Sequence, residues 1–152
     1  MIKGFKLIGI EVRTTNLNNQ AANDLGNLWA KFLSENLLEC IPNKLSDEIL
    51  AIYTDYESDY KGAYAAILGV RVSSLALVPE GLIGREFPQD NFLKFTAKGV
   101  MPNAVVESWI HIWEQDKELN RKYSYDFELY GERSQQGDSS EVDIYIATLP
   151  FS

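Results

Sequence analysis

One cysteine and one histidine are all that this chain of 152 residues offers for thiol or imidazole chemistry. The single cysteine, Cys40, excludes an internal disulfide and a cysteine-built metal cluster. With no histidine near it, it is expected to be a small buried residue in a reducing, cytoplasmic compartment. His111 stands between Ile110 and Ile112, off the apolar stripe of its segment, and is expected at the surface. No serine sits in a GxSxG elbow, and the chain has no P-loop, no GxGxxG and no HExxH, so no cofactor and no metal is expected. Asp55, Glu57 and Asp59 lie close together, without the ligand loop that calcium needs. Positive charge is also scarce, with 14 Lys and Arg against 22 Asp and Glu and a net charge of −8. That argues against direct nucleic-acid binding, which needs a basic face for phosphates, and against anionic membrane surfaces. It suits a cationic ligand, and equally a solvated acidic surface. No apolar run is long enough to span a membrane, and the N-terminus reads as a strand, not a leader.

What is abundant is aromatic. The chain is 45% hydrophobic and 12% aromatic, with eight Tyr, seven Phe and three Trp. Such a length and composition fit one domain, residues 1–152, with a real core. Aromatics mostly build core, but they also line pockets for flat ligands.

Periodicity divides the chain. Phe5 to Val12 reads as a strand. A helix follows to about Leu38, capped by Asn18 or Asn19, with Leu25, Leu28, Trp29, Phe32 and Leu33 as one stripe; Pro42 ends it at the latest. Ile49 to Glu57 and Ala63 to Val72 read as a hairpin around Ser58–Gly62. Leu50, Ile52, Thr54 and Tyr56 share one face of its first strand, and Ala51, Tyr53 and Asp55 the other. The small alanines beside Tyr64 leave room for either a ligand or a packed helix. Ser73 to Asn91 reads as a connector. Phe92 to Lys98 is then a strand, and Pro102 to about Glu118 a helix with Val105, Val106, Trp109, Ile112 and Trp113 as its stripe. Tyr125 to Glu132 and Val142 to Leu149 are the last two strands.

The order is strand, helix, strand, strand, twice over, with the helices starting roughly 80 residues apart. The expected class is therefore α+β: duplicated βαββ units, about 1–78 and 79–152, forming antiparallel sheets with pseudo-two-fold symmetry and a central ligand pocket. In Tyr125-Asp126-Phe127-Glu128-Leu129-Tyr130, Phe127 and Leu129 lie on one face and Asp126, Glu128 and Tyr130 on the other. If both faces are covered, Glu128 is a carboxylate inside the protein. Such a group is costly unless protonated, hydrogen-bonded or paired with a cation. A half-exposed sheet with Glu128 in solvent satisfies the same pattern.

Ile52 to Gly62 (IYTDYESDYKG) followed by Gly69-Val70-Arg71-Val72, and Phe127 to Arg133 (FELYGER) followed by Glu141 to Ile146 (EVDIYI), resemble the two hairpins of the GyrI-like effector-binding domains. Pro79-Glu80-Gly81 and the tryptophan-bearing second helix agree. The resemblance covers essentially the whole chain, and within the family it is similar to stand-alone integron cassette proteins that serve as cationic-drug-binding modules. It implies a duplicated βαββ fold whose central pocket takes a hydrophobic cationic small molecule. Glu128 matches the family's charge-selecting glutamate on the penultimate strand, and Tyr145 a tyrosine that closes the pocket. Tyr130, Tyr53, Tyr56, Tyr64, Trp109 and Trp113 are looser matches for its aromatic lining. Many relatives carry a helix-turn-helix region, which this sequence does not show, so a DNA-linked role would need a partner regulator protein; a homodimer is the other partner that the resemblance allows. Some relatives resemble hydrolases of cyclopropane-bearing antibiotics, which keeps an enzymatic alternative open. A second alternative is an acidic inhibitor acting on gyrase or on a regulator.

Overall fold

The computed structural model describes residues 2–149. Residues 1 and 150–152, included in the bounds of the two repeats, lie outside that range. In chain order the elements are β1 (Phe5–Thr15), α1 (Gln20–Ser34), α2 (Leu37–Cys40), β2 (Lys44–Thr54), β3 (Ala63–Val72), β4 (Ile83–Phe87), β5 (Phe92–Lys98), α3 (Asn103–Glu114), α4 (Asp116–Leu119), β6 (Tyr125–Tyr130) and β7 (Glu141–Ala147). The strands form one seven-stranded antiparallel sheet in the order β4-β1-β3-β2-β6-β7-β5. Both expected hairpins are present, β2 with β3 and β6 with β7. Apart from β4, the order reads the same from either end when β1, β2 and β3 exchange with β5, β6 and β7. The junction of β2 with β6 is the centre of that exchange, and Ala51 there faces Glu128 across the ladder.

The sheet is rolled. The Phe5 and Phe127 rings are 5.8 Å apart, although β3 and β2 lie between their strands. Three flat interstrand steps would span about 14 Å. The roll encloses an aromatic inner face of Phe5, Phe87, Phe92, Tyr125, Phe127 and Tyr145, with Leu7, Leu50, Ile52 and Ile67 behind it. Two facing glycines let β1 and β3 approach. A Cβ on Gly9 would stand 2.0 Å from the Leu68 carbonyl oxygen, and one on Gly69 would stand 2.4 Å from that of Ile8.

The helices lie on the outer face. Leu28 and Phe32 of α1 pack on Ile8, Ile10, Leu68 and Val70. Val105 and Ile112 of α3 pack on Ala97, Val142, Ile144 and Ile146. Trp109 and Tyr130 touch both clusters and so mark the seam between the halves. Fully burying a side chain such as Phe32 or Ile112 contributes roughly 1.5–3 kcal/mol.

Several expectations are corrected. The connector 73–91 contains a strand, β4, paired with β1 and too short and glycine-broken to show a period. The first helix breaks after Ser34, where Asn36 takes a left-handed φ of 50° before the single turn α2. The second breaks at Gln115, whose φ of −102° and ψ of 15° leave the helical region, before the single turn α4. Leu33 and Val106 are exposed, because the packed stripe on each helix is narrower than its apolar residues suggest. Cys40 is exposed, since α2 ends at it and leaves it at the surface. Ala66 lies in the core with Phe32, so the alanines beside Tyr64 admit the helix. His111 is exposed, as expected from its sequence position.

Candidate functional site

The alternation of β6 sends Asp126, Glu128 and Tyr130 to the helix side and Phe127 and Leu129 inward. Both carboxylates are buried, Glu128 at 2% exposure and Asp126 at 0%.

Around Glu128 three donors converge. Trp109 Nε1–H donates to Oε2 at 2.5 Å, Tyr53 O–H to Oε2 at 3.0 Å, and Tyr130 O–H to Oε1 at 2.6 Å. They come from α3, β2 and β6, so the site exists only when both halves meet. Among the described residues no Lys, Arg or His forms an ion pair with Glu128. Burial pushes its carboxyl above the ordinary carboxylate value, and the Tyr130, Trp109 and Tyr53 donors pull it part of the way back. Burial, and then the charge of Glu128, hold the Tyr53 and Tyr130 hydroxyls far above their ordinary value. They therefore stay protonated as donors.

Rings fill the space around the carboxylate. Tyr53 stands edge-on to Trp109 and Tyr64, at 5.5 and 5.8 Å. Trp29 of α1 meets Tyr130 edge-on at 4.9 Å. Edge-to-face contacts like these contribute about 0.5–1.5 kcal/mol each beyond area burial. Tyr64 O–H donates to Asn16 Oδ1 at 2.7 Å.

The neighbouring carboxylate is satisfied differently. Asp126 Oδ2 accepts from Arg121 Nη2–H at 2.8 Å and from Tyr56 O–H at 2.5 Å, and Oδ1 accepts from the Ala147 N–H at 2.9 Å. Burial pushes Asp126 upward too, but here a guanidinium opposes it. The Arg121 side chain is 1% exposed. Its guanidinium lies 4.3 Å from the Tyr123 ring centroid and 5.8 Å from that of Trp109.

Of the residues singled out in the sequence, the structure brings Glu128, Tyr53, Tyr130 and Trp109 into direct contact, with Tyr64 one ring behind. Tyr56 joins this face instead of that of Ile52. Asp55 takes a left-handed φ of 50° at the end of β2 and resets the alternation, so Tyr56 reaches Asp126. Trp113 does not touch Glu128; it stacks on Tyr60 of the β2–β3 turn, 5.7 Å apart and 7° from parallel. Tyr145 is on the wrong face for a pocket at Glu128. It pairs with Phe127 across the ladder, and its ring stacks on that residue at 4.7 Å inside the roll. Sequence reasoning passed over Asp126, Arg121, Tyr123, Trp29 and Tyr60. The alternation already placed Asp126 beside Glu128, but Arg121 and Tyr123 stand in a polar run with no period.

Open hollows lie elsewhere. One of about 400 Å³ is lined by Ile10, Val12, Arg13, Leu28, Lys31 and Ile83. Another of about 320 Å³ opens at Phe5, Leu45, Glu48, Arg71 and Phe127. Neither has a buried charged group. Glu128 does, so the chemistry points to Glu128 and not to the larger space. Among the described residues no group of three or more His, Cys, Asp or Glu is placed to hold a metal ion, and no helix is long and apolar enough to cross a membrane.

Comparison with known proteins bears on this site. Residues 1–148 match the family described as integron-associated effector binding protein (Cass2). An integron cassette protein from the mobile metagenome of Vibrio cholerae is similar in structure. Its TM-score is 0.77 at 30% identity, over 97% of this chain and 92% of that one. The protein SAV2435, solved with tetraphenylphosphonium bound, shares the fold with a TM-score of 0.79 at 20% identity, over 97% and 90% of the two chains. YobU of Bacillus subtilis, provisionally named a transcriptional regulator protein, is 26% identical over 145 residues, 93% of this chain and 91% of its own length.

Proposed function

This chain belongs to the family of integron-associated effector binding proteins, and from that premise we propose that it captures hydrophobic, positively charged small molecules at Glu128. One observation carries the reading: a buried carboxylate held by three neutral donors, with aromatic rings on several sides and, among the described residues, no cation paired with it. A buried charge left without a counter-charge costs stability. A lipophilic cation supplies that counter-charge and trades water for ring faces, each cation–π contact contributing about 0.5–2 kcal/mol. The tetraphenylphosphonium seen in a protein of the same fold supports this ligand class. The rings now fill the site, so a ligand enters by displacing half-buried ones. Trp29 with Tyr130 is the pair at its edge.

The test compares tetraphenylphosphonium with neutral triphenylphosphine oxide by calorimetry, on the wild type and on Glu128→Gln. We expect the cation to lose roughly tenfold or more in affinity, about 1.4 kcal/mol, and the neutral compound to lose little. An equal loss for both sinks charge recognition by Glu128. Mass spectrometry after long incubation with cyclopropane-bearing electrophiles separates binding from hydrolysis. We expect every compound back unchanged.

A further inference from the structure

Asp126 and Glu128 occupy alternate positions on one face of β6, so their backbones are about 7 Å apart along the strand. Each carboxylate is buried, each accepts from a tyrosine hydroxyl, and both sites use Trp109: its N–H bonds Glu128, and its ring lies beside the Arg121 guanidinium. The two sites differ in one respect, in that the Asp126 site already contains a planar cation. Arg121 sits in it poorly. Only Nη2 is hydrogen-bonded, while Nε and Nη1 are buried without a hydrogen-bond partner. A buried guanidinium with unused donors forfeits much of what its ion pair returns. A second acid stands on the way out. Asp116 Oδ1 is 3.6 Å from Nη1, and the Asp116 side chain is 24% exposed. Tyr123, whose ring faces Arg121, also donates its hydroxyl to Asp116.

We propose that Asp126, Tyr56, Tyr123 and Trp109 form a second cation seat. Arg121 fills it as an exchangeable internal occupant, and a ligand with two guanidinium-like centres takes both seats while Arg121 moves out to Asp116. This deepens the reading at Glu128 and rests on it only for the two-centred ligand; the seat at Asp126 stands on its own residues. Guanidinium and amidinium are the fitting groups, because the present occupant is planar, delocalised and flanked by ring faces.

Two experiments test it. In the first, thermal unfolding of Arg121→Ala is followed with low-millimolar methylguanidinium chloride or with sodium chloride at equal ionic strength. Methylguanidinium should raise the midpoint of Arg121→Ala and leave the wild type and Arg121→Ala/Asp126→Asn unmoved. If Arg121→Ala does not fold alone, methylguanidinium should restore its folding. A variant that stays unfolded, or a shift shared by all three proteins, overturns the seat. The second experiment measures a phenylene bis-guanidinium against phenylguanidinium by calorimetry. The wild type should prefer the two-centred ligand by roughly tenfold or more, and that ratio should fall to about one in Arg121→Met/Asp126→Asn. A purely structural ion pair would not move this ratio. Equal affinities in the wild type, or a preference surviving in the double variant, overturn the exchange. If methylguanidinium fills the Arg121→Ala cavity but phenylguanidinium binds no form of the protein, the reading at Glu128 has failed and the Asp126 seat stands without it.

Discussion

Asp126 and Glu128 are two residues apart on the same strand face and equally hidden from water, yet the protein compensates them in different ways. Asp126 meets its counter-charge when the chain folds, because Arg121 is delivered by the segment just ahead of β6. Among the described residues Glu128 meets hydroxyl and indole donors, which stabilise a carboxylate without neutralising it. Of two such acids, one already holds a cation from the chain and the other has its charge left for a cation from outside.

The sharpest way to break the comparison is to remove the internal cation's partner. Asp126→Ala leaves the buried Arg121 with the more distant Asp116 alone as counter-charge, and urea unfolding should register a loss of about 3–5 kcal/mol. The neutral pair Arg121→Met/Asp126→Asn should lose far less than the two single changes summed. A loss from Asp126→Ala within about 0.5 kcal/mol, as at an ordinary surface site, would mean that the pair is not buried in solution. Next in size is the tenfold loss of cation affinity in Glu128→Gln described above.

That variant also sharpens the contrast through pH. The folded-state pKa of Glu128 lies above the ordinary 4.5, so between the two values the native protein binds more protons than the unfolded chain. The stability contributed by the protonated group is full below 4.5 and is lost as pH rises through the folded value. The ligand-free wild type should therefore fall in melting temperature relative to Glu128→Gln as pH is raised from about 4.5 into the neutral range. Bound cation should reverse that trend, and a pH-independent difference between the two proteins would show that Glu128 is solvated. Smaller again is Trp109→Phe, which keeps a ring but removes one donor from Glu128, and should cost about 1 kcal/mol of stability by denaturant titration. The smallest effect belongs to Tyr145→Phe. Its ring lies inside the roll on the far side of the sheet, so cation affinity should change by less than roughly twofold in the same calorimetric assay.

Much of this was legible in the residues. The period of two in Tyr125–Tyr130 placed Glu128 with Tyr130 and against Phe127, and the repeated order of elements put its strand near the centre of the fold. Tyr56 was misplaced because one left-handed residue, Asp55, resets the alternation, and no pattern of hydrophobicity reports a single φ. Tyr145 was placed at the pocket by the family resemblance alone; its pairing with Phe127 turns it to the inner face of the sheet, and that register depends on where the 131–140 loop returns the chain. β4 was passed over because five residues with a glycine inside carry no usable period. Arg121 could not be seen at all, since burial of an arginine in a polar run is decided by what packs over it.

The sequence by itself determined the class and the division of labour. It is acidic, rich in aromatics and poor in cysteine and histidine, with two strand–helix–strand–strand runs and a glutamate on a strand that alternates cleanly. Those are local or compositional properties, and the short-range physics of side-chain direction suffices for them. The tertiary structure alone decided which donors reach Glu128, that its neighbour holds an arginine, and that the rings of the site close over it. Those outcomes depend on contacts between residues as many as 75 positions apart. They depend also on the roll of the sheet, which sets the two halves against each other and leaves one carboxylate with a cation and the other without.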